Sequence, residues 1–192
     1  MAQDSTEDIL LKTAEKLFAR KGYDAVGVQE IVETAGVTKP TLYYYFGSKR
    51  GLLAEIVRTR GLRLTEEIAR ASSYTGDFFA SLSSTLKAFI AFAAAHPDFF
   101  RFHCAILNAP KESEPFLEYQ EIRRSLSETV LKLFTNATDI FGNMKGKEKL
   151  YSTLFLNNAT AIARSHAAEE ETEIDDKTVY TIIHSFIYGF AD

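Results

Sequence analysis

The sequence predicts an all-α protein with a small N-terminal helix-turn-helix head, residues 1–50, and a larger helical-bundle body, residues 51–192. Three observations carry that prediction. Residues 23–53 read as two short helices joined by a glycine turn, with a third helix opening after them. The longer segments repeat apolar residues at three-and-four spacing, the period of a helix with one buried face. Proline is scarce, and few stretches alternate as strands do.

The first helix carries Leu10, Ala14, Leu17 and Phe18 on one face and stops at Gly22. The second places Val28, Ile31, Val32 and Ala35 inward, and Gly36 stands where a left-handed residue ends a helix. Thr38 is the expected N-cap of the third, with Pro40 in the first turn, where its missing N–H costs nothing. Leu42, Tyr45 and Phe46 are expected to pack inward, leaving Lys39, Thr41, Tyr43 and Tyr44 outside. A fourth helix runs from Ser48 to about Ser72, with Leu53, Ile56, Val57, Leu64 and Ile68 inward, and residues 72–76 form a loop. Asp77 caps a helix to Ala95, and Pro97 begins another that ends near Pro110. Residues 113–141 read as one long helix with Phe116, Tyr119, Ile122, Leu126, Val130, Leu133 and Ile140 on its apolar side. After a break at 142–146 come helices over 147–168 and 176–190, separated by a solvated acidic loop.

Two helices joined by a glycine-containing turn are the common device for placing a helix in a DNA major groove. Exposed tyrosines beside a lysine suit that task. A phenol donates to a phosphate or packs on a thymine methyl, and lysine meets a phosphate or a guanine edge. An ordinary helical hairpin with these aromatics in its core is the alternative. Charge distribution favours the groove. The chain has a net charge of -4, yet residues 34–63 hold Lys39, Lys49, Arg50, Arg58, Arg60 and Arg63 against Glu55 alone. A basic patch on an acidic body is the electrostatic footprint of a DNA-reading head.

From about Ile9 to Leu53 the chain resembles the DNA-binding head of the TetR family of bacterial transcriptional regulators. The resemblance rests on Leu17-Phe18, Lys21-Gly22-Tyr23, Ile31, Ala35-Gly36-Val37, the run from Thr38 to Phe46, Ser48-Lys49 and Leu52-Leu53. It implies a DNA-binding surface of Gln29, Thr38, Lys39, Pro40, Thr41, Tyr43 and Tyr44, with Lys49 holding a backbone phosphate beside the free N–H groups of the next helix. One departure is Val26-Gly27, where relatives carry Thr or Ser. Gly27 is only a fair cap, and a hydroxyl contact to phosphate is lost there.

The last helix is apolar around much of its girth. Val179, Ile182, Ile183, Phe186, Ile187 and Phe190 share one side, and Tyr180, His184 and Tyr188 the other. The preceding helix shows a stripe of Leu150, Leu154, Asn157 and Ala161. The resemblance implies that these two helices pair with their counterparts in a four-helix homodimer interface, with Leu154, Val179, Ile183, Phe186, Ile187 and Phe190 in it. A monomeric core with the last helix at its centre is the alternative. Phe89, Phe92, Phe99 and Phe102, with His103, Tyr119 and Asn157 as polar anchors, have the composition of a pocket for an unknown small hydrophobic ligand. Arg101 is expected to face solvent, which favours a neutral or cationic ligand over an anionic one.

These readings imply a ligand-responsive regulator, a repressor, that binds palindromic double-stranded operator DNA as a homodimer. The effector would tilt the fourth helix, taken as the only covalent lever between body and head. The rival is a helical-bundle enzyme or small-molecule carrier. It lacks support in the sequence: no Glu-x-x-His, no His-Glu-x-x-His and no glycine-rich phosphate loop occur. No catalytic residue, metal ligand or cofactor is expected. The single cysteine, Cys104, allows no intrachain disulfide, and residues 1–10 are too polar for a signal peptide. No apolar run is read as approaching the ~20 residues of a membrane span. A cytoplasmic protein without membrane partner is the resulting expectation.

Overall fold

The computed structural model describes residues 5–138, 144–169 and 174–189, and those residues form helices and connecting turns with no strand. The chain divides into two compact units, one of Met1–Arg63 with Asp98–Ile122 and the other of Leu64–Pro97 with Arg123–Asp192.

The first unit opens with α1, Thr6–Lys21, started by a capping box in which Ser5 and Asp8 satisfy each other's backbone N–H. Then follow α2, Val28–Ala35, α3, Lys39–Phe46, and α4, Lys49–Ile56. Leu10, Ala14, Phe18, Ile31, Leu42, Leu52 and Leu53 are fully or almost fully buried and form the core of the head. The short α2 and α3 persist because that core covers their apolar sides, since eight-residue helices are marginal alone. From Ile56 the chain continues without a break through a π-helical turn, Val57–Gly61. Thr59 Oγ1 donates to the carbonyls of Glu55 (2.8 Å) and Ile56 (3.3 Å), where the helical ladder is interrupted. A Cβ on Gly61 would lie 2.8 Å from Ile122 Cγ1, so the absent side chain is what lets Ile122 approach. The same unit holds α7, Pro97–Leu107, and α8, Glu114–Glu118, with Phe102 stacked on Phe18 at 5.8 Å.

The second unit is built around α6, Phe78–Ala95, which packs against α10, Glu148–Ala168, and α11, Asp176–Tyr188. It also contains α5, Leu62–Ala71, from Leu64 onward, and most of α9, Gln120–Ala137. Phe78, Leu82, Leu86, Phe89, Ile90 and Phe92 are buried along α6. Phe134 stacks on Phe78 (5.1 Å), Phe155 (6.0 Å) and Phe186 (6.2 Å), tying α6, α9, α10 and α11 into one aromatic core.

Four expectations change. The unit that holds the head extends past residue 50, because it takes in the rest of α4, the π-helical turn and the start of α5 to Arg63, with α8 packed on α4 and Phe102 of α7 on Phe18 of α1. The chain therefore crosses between units near residues 63, 97 and 122, so the fourth helix is not the only covalent connection. Residues 113–141 are not one helix. Tyr119 (φ -92, ψ 0) separates α8 from α9, and the break accompanies burial of its ring. Ile140 lies outside the described residues. Finally, α6 is long and apolar enough by composition to span a membrane, with mean hydropathy 1.5, contrary to the expected absence of such a run. Half of it is buried among α10 and α11 and the aromatics above, as befits the core helix of a globular unit.

Candidate nucleic-acid interface

The helix-turn-helix is formed as the residues dictate. Gly36 adopts φ 70, ψ 29 and ends α2, its N–H reaching the carbonyls of Glu33 and Val32. Val37 N–H bonds the same Val32 carbonyl at 2.9 Å, closing the turn into α3. Thr38 is the N-cap of α3 and Pro40 lies in its first turn, but the Thr38 hydroxyl makes no cap bond. It pairs with the Thr41 hydroxyl at 2.9 Å, while Pro40 lacks an N–H and Thr41 N–H bonds the Thr38 carbonyl at 3.1 Å, so Lys39 N–H is the backbone donor at the helix start.

The outward face matches the sequence reading and extends it. Thr38, Lys39, Pro40, Tyr43 and Tyr44 are exposed, Thr41 is half-buried, and Tyr44 reaches 83%. Tyr45 was expected inside but is 42% exposed, its ring edge-on to Tyr44 at 5.2 Å. Leu42 alone of the inward trio is fully buried, since an eight-residue helix offers only a narrow covered stripe. Gln29 is exposed in the first turn of α2, where its amide donates to Glu33. Gly27 caps α2 without a side-chain bond.

Lys49 sits differently from a plain phosphate ligand. Its ammonium donates to the Tyr23 and Val26 carbonyls, each at 3.0 Å, and stands 4.0 Å from the centre of the Tyr23 ring. It therefore staples the α1–α2 turn to the start of α4, which Ser48 caps through Gly51 N–H. Gly51 is required there, because a Cβ would collide with the Phe46 carbonyl oxygen. The expected basic patch is also partly neutralised. Arg50 pairs with Glu118 (3.3 Å), Arg58 with Glu55 (2.5 Å) and Arg60 with Glu15 (3.1 Å). Burial raises the Glu15 carboxyl above the usual range, with Arg60 opposing that rise.

A feature missed in the sequence is the carboxylate pair on α8. Tyr23 is 5% exposed, and its phenol donates to Glu114 at 2.6 Å. Burial, and then this acceptor, push its ionisation up. The partners lie 91 residues apart, so no local spacing announces them.

Comparison with known proteins fits this geometry. Residues 10–56 match the family described as bacterial regulatory proteins, tetR family. Residues 10–56 are thus similar to the TetR family. Its similarity to the transcriptional activator FasR of Mycolicibacterium smegmatis is 33% identity over 92 residues, 48% of this chain and 42% of that one. The chain thus spans less than half the length of FasR, and about a quarter of the repressor BdcR of Escherichia coli is matched. The negative regulator IcaR of Staphylococcus aureus is 24% identical over 187 residues, covering 94% of this chain and 98% of IcaR. A TetR-like regulator from Rhodococcus sp. RHA1 shares the fold with TM-score 0.74 and 23% identity, covering 98% of this chain and 96% of that one. FadR of Bacillus subtilis, solved with stearoyl-CoA, has TM-score 0.73 and 14% identity, over 95% and 98% of the two chains.

The expected ligand residues fall in both units. Phe89 and Phe92 are buried in the second unit, whereas Phe99, Phe102, His103 and Tyr119 are buried in the first. Asn157 is exposed on α10, because the helical period turns it away from the side that carries Phe155 and Ala159. His103 Nδ1 and the Tyr119 hydroxyl are 2.7 Å apart, and both residues are almost fully enclosed. Desolvation lowers the His103 pKa to about 4 and pushes Tyr119 well up. Arg101 faces solvent as expected, pairing with Asp98.

Of the residues expected at the dimer interface, Val179 and Ile183 are buried in the chain's own core (3% and 0% exposed). They are the inward side of α11 because α6 covers it. Phe186 and Ile187 are half-buried, Leu154 is 46% exposed, and Phe190 lies outside the described residues. A groove of about 620 Å³ opens in the second unit, lined among others by Tyr151, Leu154, Asn158, Ile162, Ile182 and Phe186.

Proposed function

We propose that this protein is a ligand-responsive transcriptional regulator, a repressor, which binds a palindromic operator as a homodimer and is released by a small hydrophobic effector. One observation carries the reading: α3 presents Lys39, Tyr43 and Tyr44 to solvent directly after a glycine-closed turn. That is the surface a recognition helix offers to a major groove. The repressor sign is supported by IcaR, a negative regulator similar along nearly its whole length.

The homodimer is supported by exposed Leu150 and Leu154 beside the apolar groove of α10 and α11, an area that a second copy would cover. Two recognition helices on one operator face would lie about one DNA turn, ~34 Å, apart. An effector that prefers the other geometry by a few kcal/mol releases the DNA. The hydrophobic effector is supported by the aromatic cores of both units.

Selection of bound sequences from a random duplex pool tests the reading. An enriched palindrome is the expected result, and no enrichment at low salt refutes it. A thermal-shift panel then tests the effector class, with neutral, cationic and anionic hydrophobes including long-chain acyl-CoA.

A further inference from the structure

We propose that Glu114 on α8 is a positioning residue for DNA binding, acting through Tyr23 on the elements that meet the duplex; this rests on the operator-binding role of the head. The turn joining α1 to α2, residues 22–27, carries Tyr23. That residue is held at both ends. Its phenol donates to Glu114 at 2.6 Å, and its carbonyl, with that of Val26, accepts from Lys49 at 3.0 Å. Phe18 stacks on the ring at 5.1 Å, and at 5% exposure the ring has little room to swing. The turn leads directly into α2, whose Gly27 cap supplies no side-chain bond. The placement of the first turn of α2, with exposed Gln29, therefore depends on how residues 22–27 are held. Glu114 is itself well mounted. Ser113 caps α8 through Phe116 N–H, and Pro115 stiffens the first turn.

The sign of the effect separates positioning from simple charge. An exposed carboxylate near phosphates repels them, so a role by charge alone predicts tighter DNA binding when Glu114 is removed. Positioning predicts the opposite. Glu114→Gln loses the charge but keeps an acceptor oxygen for the phenol. Glu114→Ala loses both, and Tyr23→Phe loses the donor while keeping the ring.

The experiment uses the full-length chain and a duplex enriched by selection with wild type, read by fluorescence anisotropy over a salt series. Glu114→Ala and Tyr23→Phe should each weaken binding about five- to tenfold. The double variant should be no weaker than the worse single one, because both cut the same bond. The salt slope should stay unchanged, since no phosphate contact is lost, and Glu114→Gln should bind within about twofold of wild type. Amides of residues 22–29 should exchange faster in Glu114→Ala while those of α10 and α11 do not. Tighter or unchanged binding by Glu114→Ala, or additive losses in the double variant, overturns the proposal even where wild type binds DNA well. If wild type enriches no duplex, the operator-binding role fails first, and this inference with it.

Discussion

Lys49 offers the sharpest test of how the head is built. Its ammonium has three N–H bonds, and two are spent on the Tyr23 and Val26 carbonyls at 3.0 Å each. The charge also stands 4.0 Å from the Tyr23 ring centre. Hydrogen bonds to a charged donor contribute about 1.5–3 kcal/mol when buried. Here the site is part-buried, so water recovers much of that when the lysine is removed. A cation–π contact adds roughly 0.5–1 kcal/mol. Together these give a loss near 2 kcal/mol for Lys49→Ala. For a chain of this length that lowers the melting temperature by ~4–8 °C. Lys39→Ala, on exposed α3, should leave melting unchanged and reduce the salt slope of DNA binding by about one unit per half-site. Melting followed by circular dichroism, beside anisotropy at several salt concentrations, separates the two lysines. If Lys49→Ala melts like wild type and the salt slope drops by a full unit, Lys49 is a phosphate ligand and the staple is unimportant.

The other predictions follow from packing and titration. Gly61→Ala should cost about 1 kcal/mol, because overpacking at 2.8 Å from Ile122 outweighs the ~1 kcal/mol gain in helix propensity. In an Ile122→Ala background the same change should become stabilising, and equal effects in both backgrounds on a denaturation cycle would show that the contact is loose. His103 is neutral in the fold with a pKa of about 4, whereas the unfolded chain takes up a proton near pH 6.5. Its contribution is therefore complete above that pH and declines by ~3 kcal/mol as pH falls to about 4. His103→Gln should flatten this stretch of the melting-temperature profile, and parallel profiles would sink the assignment. Leu154→Glu should give a folded monomer in sedimentation, since Leu154 is 46% exposed and its loss leaves the chain's own core intact. A Leu154→Glu variant that stays dimeric would remove this face of α10 from the interface.

Local rules made the head legible in the sequence. Gly36, Thr38 and Pro40 set where α2 ends and α3 begins through backbone preferences that act over a few residues, and the buried faces of α1 and α2 follow from helical period. The exposure of Lys39, Tyr43 and Tyr44 followed from the same period. Where neighbours distant in the chain decide, the sequence was silent. It did not reveal that Lys49 turns to two carbonyls, that Glu114 holds Tyr23, or that Glu118 and Glu15 neutralise Arg50 and Arg60. Those outcomes depend on α8 and α1 reaching the start and the continuation of α4, a matter of tertiary packing. Periodicity marked both sides of α11 as apolar but could not say which side this chain covers. The structure buries Val179 and Ile183 on the side of α11 that meets α6 and leaves Leu154 on α10 open. A hydrophobic stripe states that water must be excluded. Only the packed chain states what excludes it.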